Sequence, residues 1–181
     1  MVGHGCPFGL AAFYGMANLG RNAAREQMRE EHMAERTIPP EGEGKPDADA
    51  FGRGLGPGIG VNLLVTDLAE AVQFQAEVLG ADVRYWDADF AIMAFAGTTW
   101  MLHHDRTYHS HPLAGIARGA DGRGAGVEIR LYGCDPDAAE QAAETYGAIV
   151  LAGAADKPHG LREAYLVDSD GYVWVPSVPK A

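Results

Sequence analysis

Cysteine is scarce in this chain. Cys6 and Cys134 are the two present, far apart and without CxxC spacing. A disulfide framework is therefore not expected, and free thiols in a reducing compartment are. Long hydrophobic runs are also missing. No apolar stretch is long enough to span a bilayer, so no membrane partner is expected. The run at 8–19 has the length of a signal-peptide core, but no Lys or Arg precedes it and Gly15 and Asn18 interrupt it. The expectation is a cytoplasmic protein. Basic residues are few: 14 Lys and Arg stand against 25 Asp and Glu, a net charge of -11. That balance argues against nucleic acid or an anionic membrane surface as a partner. Single arginines can still hold an anion locally.

Apolar residues are plentiful. At 47% of 181 residues they suffice for one compact domain or two small fused modules. Residues 1–57 read as an N-terminal arm. Good helix formers, including Ala23, Ala24, Met28 and Met33, predict a helix over 16–36. That helix reads as a surface element or as an arm packing on a second subunit. Residues 37–58, TIPPEGEGKPDADAFGRGLGPG, are rich in Pro, Gly and acid and read as a linker. The compact domain is placed at 58–181, with modules at about 58–123 and 124–181.

The stretch GIGVNLLVTDLAEAVQFQAEVLG at 58–80 organises the rest. Ile59, Val61, Leu63 and Val65 alternate as one face of a strand. Asp67 suits a helix N-cap, with Glu70 completing a capping box, and Gly80 suits the left-handed position after the helix. Three short strands are predicted next, at 82–86, 90–95 and 98–104. A polar loop follows over 104–123, of a length often functional inside a domain. The second unit, GVEIRLYGCDPDAAEQAAETYG, repeats the pattern. It has a strand at 127–132, a helix from Asp135 to Tyr146 closed by Gly147, and strands at 148–151, 162–167 and 172–175. Gly97 to Met101 and Gly171 to Val175 recur in matching order. A βαβββ unit is used twice.

NLLVTDLAEAVQFQAEVLGADV and YLVDSDGYVWV together resemble the vicinal-oxygen-chelate superfamily, which includes glyoxalase, bleomycin-resistance and dioxygenase proteins. The resemblance covers residues from 58 to about 179. It implies an α+β fold: two βαβββ modules forming an open, curled mixed β-sheet barrel around a cavity, here with an N-terminal helical extension. It also implies a homodimer.

In metal-dependent members, four cavity-facing positions carry the ligands. The resemblance maps them to Gly60, Met101, Glu128 and Val175. Gly60 and Val175 have no donor side chain and Met101 offers a thioether, so no metal cofactor is expected. A register slip of two residues would put His103 for Met101 and Asn62 for Gly60. Ile129 and Leu131 take the helix-facing side, which leaves Glu128, Arg130 and Tyr132 toward the cavity.

The implied wall therefore holds Asn62, Met101, His103, Glu128, Arg130 and Tyr132, with His159 and Arg162 at its mouth. Glu128 and Arg130 form either a structural ion pair or an anion anchor beside a proton acceptor. His103 is a candidate general base. His104, His109 and His111 read as loop histidines. Trp86, Trp100 and Trp174 read as core or rim, although an aromatic wall would suit a planar ligand.

Two functions compete. One is capture of a small organic ligand without the usual metal. The alternative is a diverged glyoxalase- or dioxygenase-like enzyme using Glu128 and His103, with a displaced metal or as acid and base. A third role, assembly through the N-terminal arm, is also open.

Overall fold

The computed structural model describes residues 38–113, 115 and 122–180. The helix expected at 16–36 and Cys6 lie outside the described residues, as does part of the 104–123 loop. In chain order the described elements are α1 (Ala48–Gly54), β1 (Asn62–Val65), α2 (Leu68–Glu77), β2 (Asp82–Trp86), β3 (Phe90–Phe95) and β4 (Thr98–His104). After a 3-10 turn (Asp105–Tyr108) come β5 (Glu128–Tyr132), α3 (Pro136–Tyr146), β6 (Ile149–Asp156), β7 (Leu161–Val167) and β8 (Val173–Pro179).

The strands form two four-stranded mixed sheets, in the orders β1-β4-β3-β2 and β5-β8-β7-β6. In each, the first strand runs parallel to the last, which pairs antiparallel with its neighbour. A parallel neighbour needs a crossover, and the helix supplies it. The two orders are the same permutation, so the repeat in sequence is a repeat in space. The sheets are not closed on each other.

Local chemistry explains both helices. Asp67 accepts a hydrogen bond from the Glu70 amide at 3.0 Å, and Gly80 turns left-handed at φ 66. Asp135 caps the Asp137 amide at 3.0 Å with Pro136 in the first turn, and Gly147 closes α3 at φ 86. These satisfy amides and carbonyls that a helix end leaves unpaired.

One apolar core joins the modules. Leu63, Val65, Trp100 and Leu102 from the first sheet meet Leu131, Ala164, Leu166 and Trp174 from the second, with Val72, Phe74 and Ala143 from the helices. The tryptophans that mark the repeat lie 5.9 Å apart, ring to ring. Each finds an acceptor for its indole N–H, Trp100 at Gln75 Oε1 and Trp174 at Asp168 Oδ2, both at 2.8 Å. Burying each ring without an orphaned donor contributes roughly 2–3 kcal/mol.

Polar ties set the modules further. The buried Asp170 carboxylate accepts from the Thr66 amide at 3.0 Å and its hydroxyl at 2.9 Å. The Tyr172 hydroxyl donates to the Leu64 carbonyl at 3.0 Å.

Four stretches differ from expectation, one of them the last strand, expected at 172–175 and found at Val173–Pro179. The first strand begins at Asn62 rather than at residue 59, and Ile59 is 96% exposed. Gly56, Pro57, Gly58 and Gly60 there favour irregular backbone. The strand expected at 148–151 runs on to Asp156, with register shifts beside Ala152 and Ala155. Its Ala- and Gly-rich half has weak strand propensity, and pairing with β7 holds it. There Glu140 of α3 accepts from the Ala154 amide at 2.7 Å.

The stretch expected to be a linker contains α1 and is tied to β2. Gly42 N–H donates to the Trp86 carbonyl at 2.8 Å, and the Trp86 indole to the Pro39 carbonyl at 2.6 Å. Among the described residues, no helix is long and apolar enough to cross a membrane.

Candidate functional site

Each sheet has a face turned away from the helix-packed core. On β7, Ala164 and Leu166 point into the core, so Glu163 and Tyr165 point the other way. On β5 the same alternation turns Glu128, Arg130 and Tyr132 outward. Strand register then brings the two sets together through β8, where Arg130 lies beside Val175 and Glu163 beside Ser177.

Arg130 is the centre of the group. Its Nη1 donates to Glu128 at 2.7 Å, and its Nη2 donates to Glu163. Its guanidinium also stands 6.0 Å over the Tyr132 ring. Glu163 is fully buried, whereas the Glu128 side chain is 48% exposed. The buried carboxylate has further partners. The His159 imidazole Nε2 contacts its Oε1 at 2.8 Å, and the Tyr165 hydroxyl donates to its Oε2 at 3.0 Å. An ionised carboxylate only accepts, so His159 Nε2 carries the proton. Lys157 sits 5.0 Å over the Tyr165 ring.

Electrostatics follow from these contacts. Burial alone would push Glu163 up. The hydrogen bonds from His159 and Tyr165 and the charge of Arg130 outweigh it, and Glu163 is held below the usual carboxylate range. For Arg130, burial disfavours the charge, but Glu128 and Glu163 favour it more and its pKa rises. Burial and the neighbouring Glu163 push the Tyr165 phenol up. The site is thus a fixed guanidinium held between one buried and one open carboxylate.

The first sheet offers a different face. Asn62 is exposed beside Met101, and Met101 and His103 are half-buried on β4. His103 packs on Phe90 at 4.9 Å and Tyr108 at 5.1 Å between ring centres. Burial lowers its pKa, which keeps the imidazole neutral near pH 7.

The structure therefore brings Glu128, Arg130, Tyr132 and His159 into one group. Asn62, Met101 and His103 lie on the other sheet, with His103 among rings and Glu128 against Arg130. Arg162 joins neither. Its guanidinium binds Asp137 of α3 at 2.6 Å and Asp156 of β6 at 3.1 Å.

Sequence reasoning missed Glu163 and Tyr165. The signal was present in the alternation of Arg162-Glu163-Ala164-Tyr165-Leu166, where a carboxylate and a phenol share the face opposite two apolar residues.

The residues at the four mapped ligand positions do not suit a divalent ion. Gly60 and Val175 have no donor atom, and Val175 is fully buried. Among the described residues, no three His, Cys, Asp or Glu are grouped to hold a metal. A concavity of about 280 Å³ opens elsewhere, at the start of α2, near Thr66, Asp67, Trp86, Asp87, His104 and Arg106. Asp87 there is bound by Lys45, and Arg106 by Asp89. The chemistry, rather than the hollow, places the candidate site on β5 and β7.

Solved structures share this architecture. A glyoxalase/bleomycin resistance protein/dioxygenase from Nocardioides aligns with TM-score 0.53 and 20% identity, over 72% of this chain and 89% of its own. A glyoxalase-related enzyme from Fulvimarina pelagi gives 0.55 and 16%, over 68% and 88%. A glyoxalase/bleomycin resistance protein/dioxygenase family enzyme from Burkholderia phytofirmans PsJN gives 0.55 and 15%, over 67% and 97%. The chain has the vicinal-oxygen-chelate fold. No family model matches it, and no curated protein does. At these identities the likeness concerns the fold, and vicinal-oxygen-chelate proteins carry several chemistries on it.

Proposed function

We propose that the chain binds a small organic ligand on the helix-free faces of its sheets, without a divalent metal and as a homodimer in a reducing compartment. One observation carries the reading. Arg130 is pre-positioned by the buried Glu163 and the open Glu128, on a face where one mapped ligand position, Val175, has no donor and the other, Glu128, is engaged by Arg130 itself. A guanidinium fixed in this way loses little freedom on binding, which favours recognition of a polar or anionic group. The sheets left unclosed within one chain are consistent with a second copy completing the enclosure. Native mass spectrometry of untreated protein tests the ligand, the metal and the oligomeric state together. The expected spectrum shows a dimer with a retained organic mass and no stoichiometric metal. One bound ion per chain would overturn the metal-free reading.

A second reading is acid–base catalysis by His103 and Glu128. The neutral, half-buried His103 favours it, because only an unprotonated imidazole accepts a proton. The engagement of Glu128 with Arg130 weighs against it. Turnover unchanged in Glu128→Gln would remove Glu128 from any such mechanism.

A further inference from the structure

Five rings line up on and beside the helix-free face of the first sheet. Tyr85 of β2 lies 6.3 Å from Phe90 of β3, and Phe90 lies 4.9 Å from His103 of β4. His103 lies 5.1 Å from Tyr108 in the 3-10 turn, and Tyr108 lies 4.5 Å from His111. Three strands and a turn each supply a member. The sequence hides the row, because cross-strand register, not spacing along the chain, sets Phe90 opposite His103.

Three properties bear on what this row could hold. Its exposure rises along its length: Tyr85 is buried, Phe90, His103 and Tyr108 are half-buried, and His111 is exposed. The rings are tilted by 39° to 61° to one another, so none covers its neighbour's face as a parallel stack would. Three nearby carboxylates are already matched by cations: Asp87 by Lys45, Asp89 by Arg106 and Asp105 by Arg123. A charged ligand would find those three charges already paired. An uncharged ring would find polarisable surface at little desolvation cost.

We propose that Phe90, His103 and Tyr108 form an aromatic platform for an uncharged planar aromatic or heteroaromatic molecule, one ring stacking on its face while the tilted neighbours meet its edge. The proposal rests on the ligand-binding reading above and adds the class of ligand. It also separates two tasks: the first sheet holds a flat ring, whereas the Arg130 group on the second sheet meets polar functions. The lowered pKa of His103 agrees with an uncharged platform.

The test is a fluorescence titration of the full chain with acridone, a flat uncharged probe. N-methylacridinium serves as a flat cation and adamantanone as a compact, non-planar competitor. Acridone is expected to saturate, to resist adamantanone and to bind more tightly than N-methylacridinium. Phe90→Leu and Tyr108→Leu should each weaken it about five- to tenfold, the scale of one aromatic pair. Arg53→Ala, at an exposed ion pair on α1 away from both sheets' helix-free faces, should leave it unchanged. Tyr108 lies on the turn outside the sheet, so Tyr108→Leu keeps the test decisive if Phe90→Leu fails to fold. No saturable binding, full binding in both leucine variants, or preference for the cation would overturn the platform. A retained ligand without aromatic absorbance would overturn the platform while leaving the ligand-binding reading intact. Acridone binding by protein that retains no organic mass would support the platform and remove support from that reading.

Discussion

Replacing Glu163 with glutamine removes one charge from the interior and almost no volume. The carboxylate accepts from Arg130 and His159 on one oxygen and from Tyr165 on the other. An amide keeps one acceptor and turns an N–H2 toward the remaining donors. All three bonds to the ionised carboxylate are charge-assisted, worth about 1.5–3 kcal/mol each. The amide loses at least one of them and leaves any bond from His159 or Tyr165 neutral at about 1 kcal/mol, while Arg130 still donates with its own charge. Breaking a buried ion pair outright costs about 3–5 kcal/mol. Here Arg130 keeps Glu128 and is 25% exposed, so the loss falls lower. Glu163→Gln should therefore destabilise by about 2 kcal/mol in urea unfolding at pH 7.

Arg130→Met should cost more, about 3 kcal/mol, because it leaves Glu163 charged and fully buried without its main counter-charge. In the Glu163→Gln background, the same change should cost under about 1 kcal/mol, a coupling of about 2 kcal/mol. The pH dependence has a definite sign. The folded pKa of Glu163 is depressed, so its contribution is present above the unfolded carboxylate value, about 4.3, and is lost as pH falls through the lower folded value. The gap between wild type and Glu163→Gln should close in strong acid. A single-mutant effect within about 0.5 kcal/mol of zero, with no coupling, would refute the view that Glu163 holds Arg130 in place.

Other outcomes follow from the same contacts. Burial would raise Asp87, but bonds from Tyr85, the Asp89 amide and Lys45 hold it near a pKa of about 2, so Asp87→Asn should lose about 2 kcal/mol at neutral pH. That loss should fade as pH falls from about 4 through about 2, read by chemical denaturation across the range. Asp170→Ala strips the Thr66 amide and hydroxyl of their acceptor and leaves Arg123 one carboxylate short, for a loss of about 3 kcal/mol in thermal or urea unfolding. Arg162→Ala removes surface pairs only and should cost under about 1 kcal/mol, with ligand retention unchanged by native mass spectrometry. Loss of the retained ligand in that variant would return Arg162 to the site.

Features that depend on near neighbours in the chain were legible from the start. Asp67 and Asp135 cap helices because their side chains reach amides two or three residues on, and Gly80 and Gly147 turn left-handed where a side chain would strain the backbone. Gly97 and Gly171 share a φ of 82 at matching places in the two modules, as the repeat implied. Period-two alternation placed Glu128, Arg130 and Tyr132 on one face correctly, because a strand has only two faces. The same rule would have flagged Glu163, but a single acid in a strand carries no sign of burial. The extension of β6 was illegible because Ala and Gly carry no strand preference, and its hydrogen bonds come from β7.

The amino-acid sequence by itself determined the doubled βαβββ unit, its caps and turns, and the absence of donors at Gly60 and Val175. Each is a property of one residue or of a short periodic stretch. Tertiary structure alone decided which side chains meet. Glu163 reaches Arg130, thirty-three residues apart along the chain, because β8 sets β5 and β7 in register around it. Tyr85, Phe90, His103 and Tyr108 form one row because three strands and a turn converge. Cross-strand register is set by the packing of whole faces against a shared core, and no local pattern encodes it.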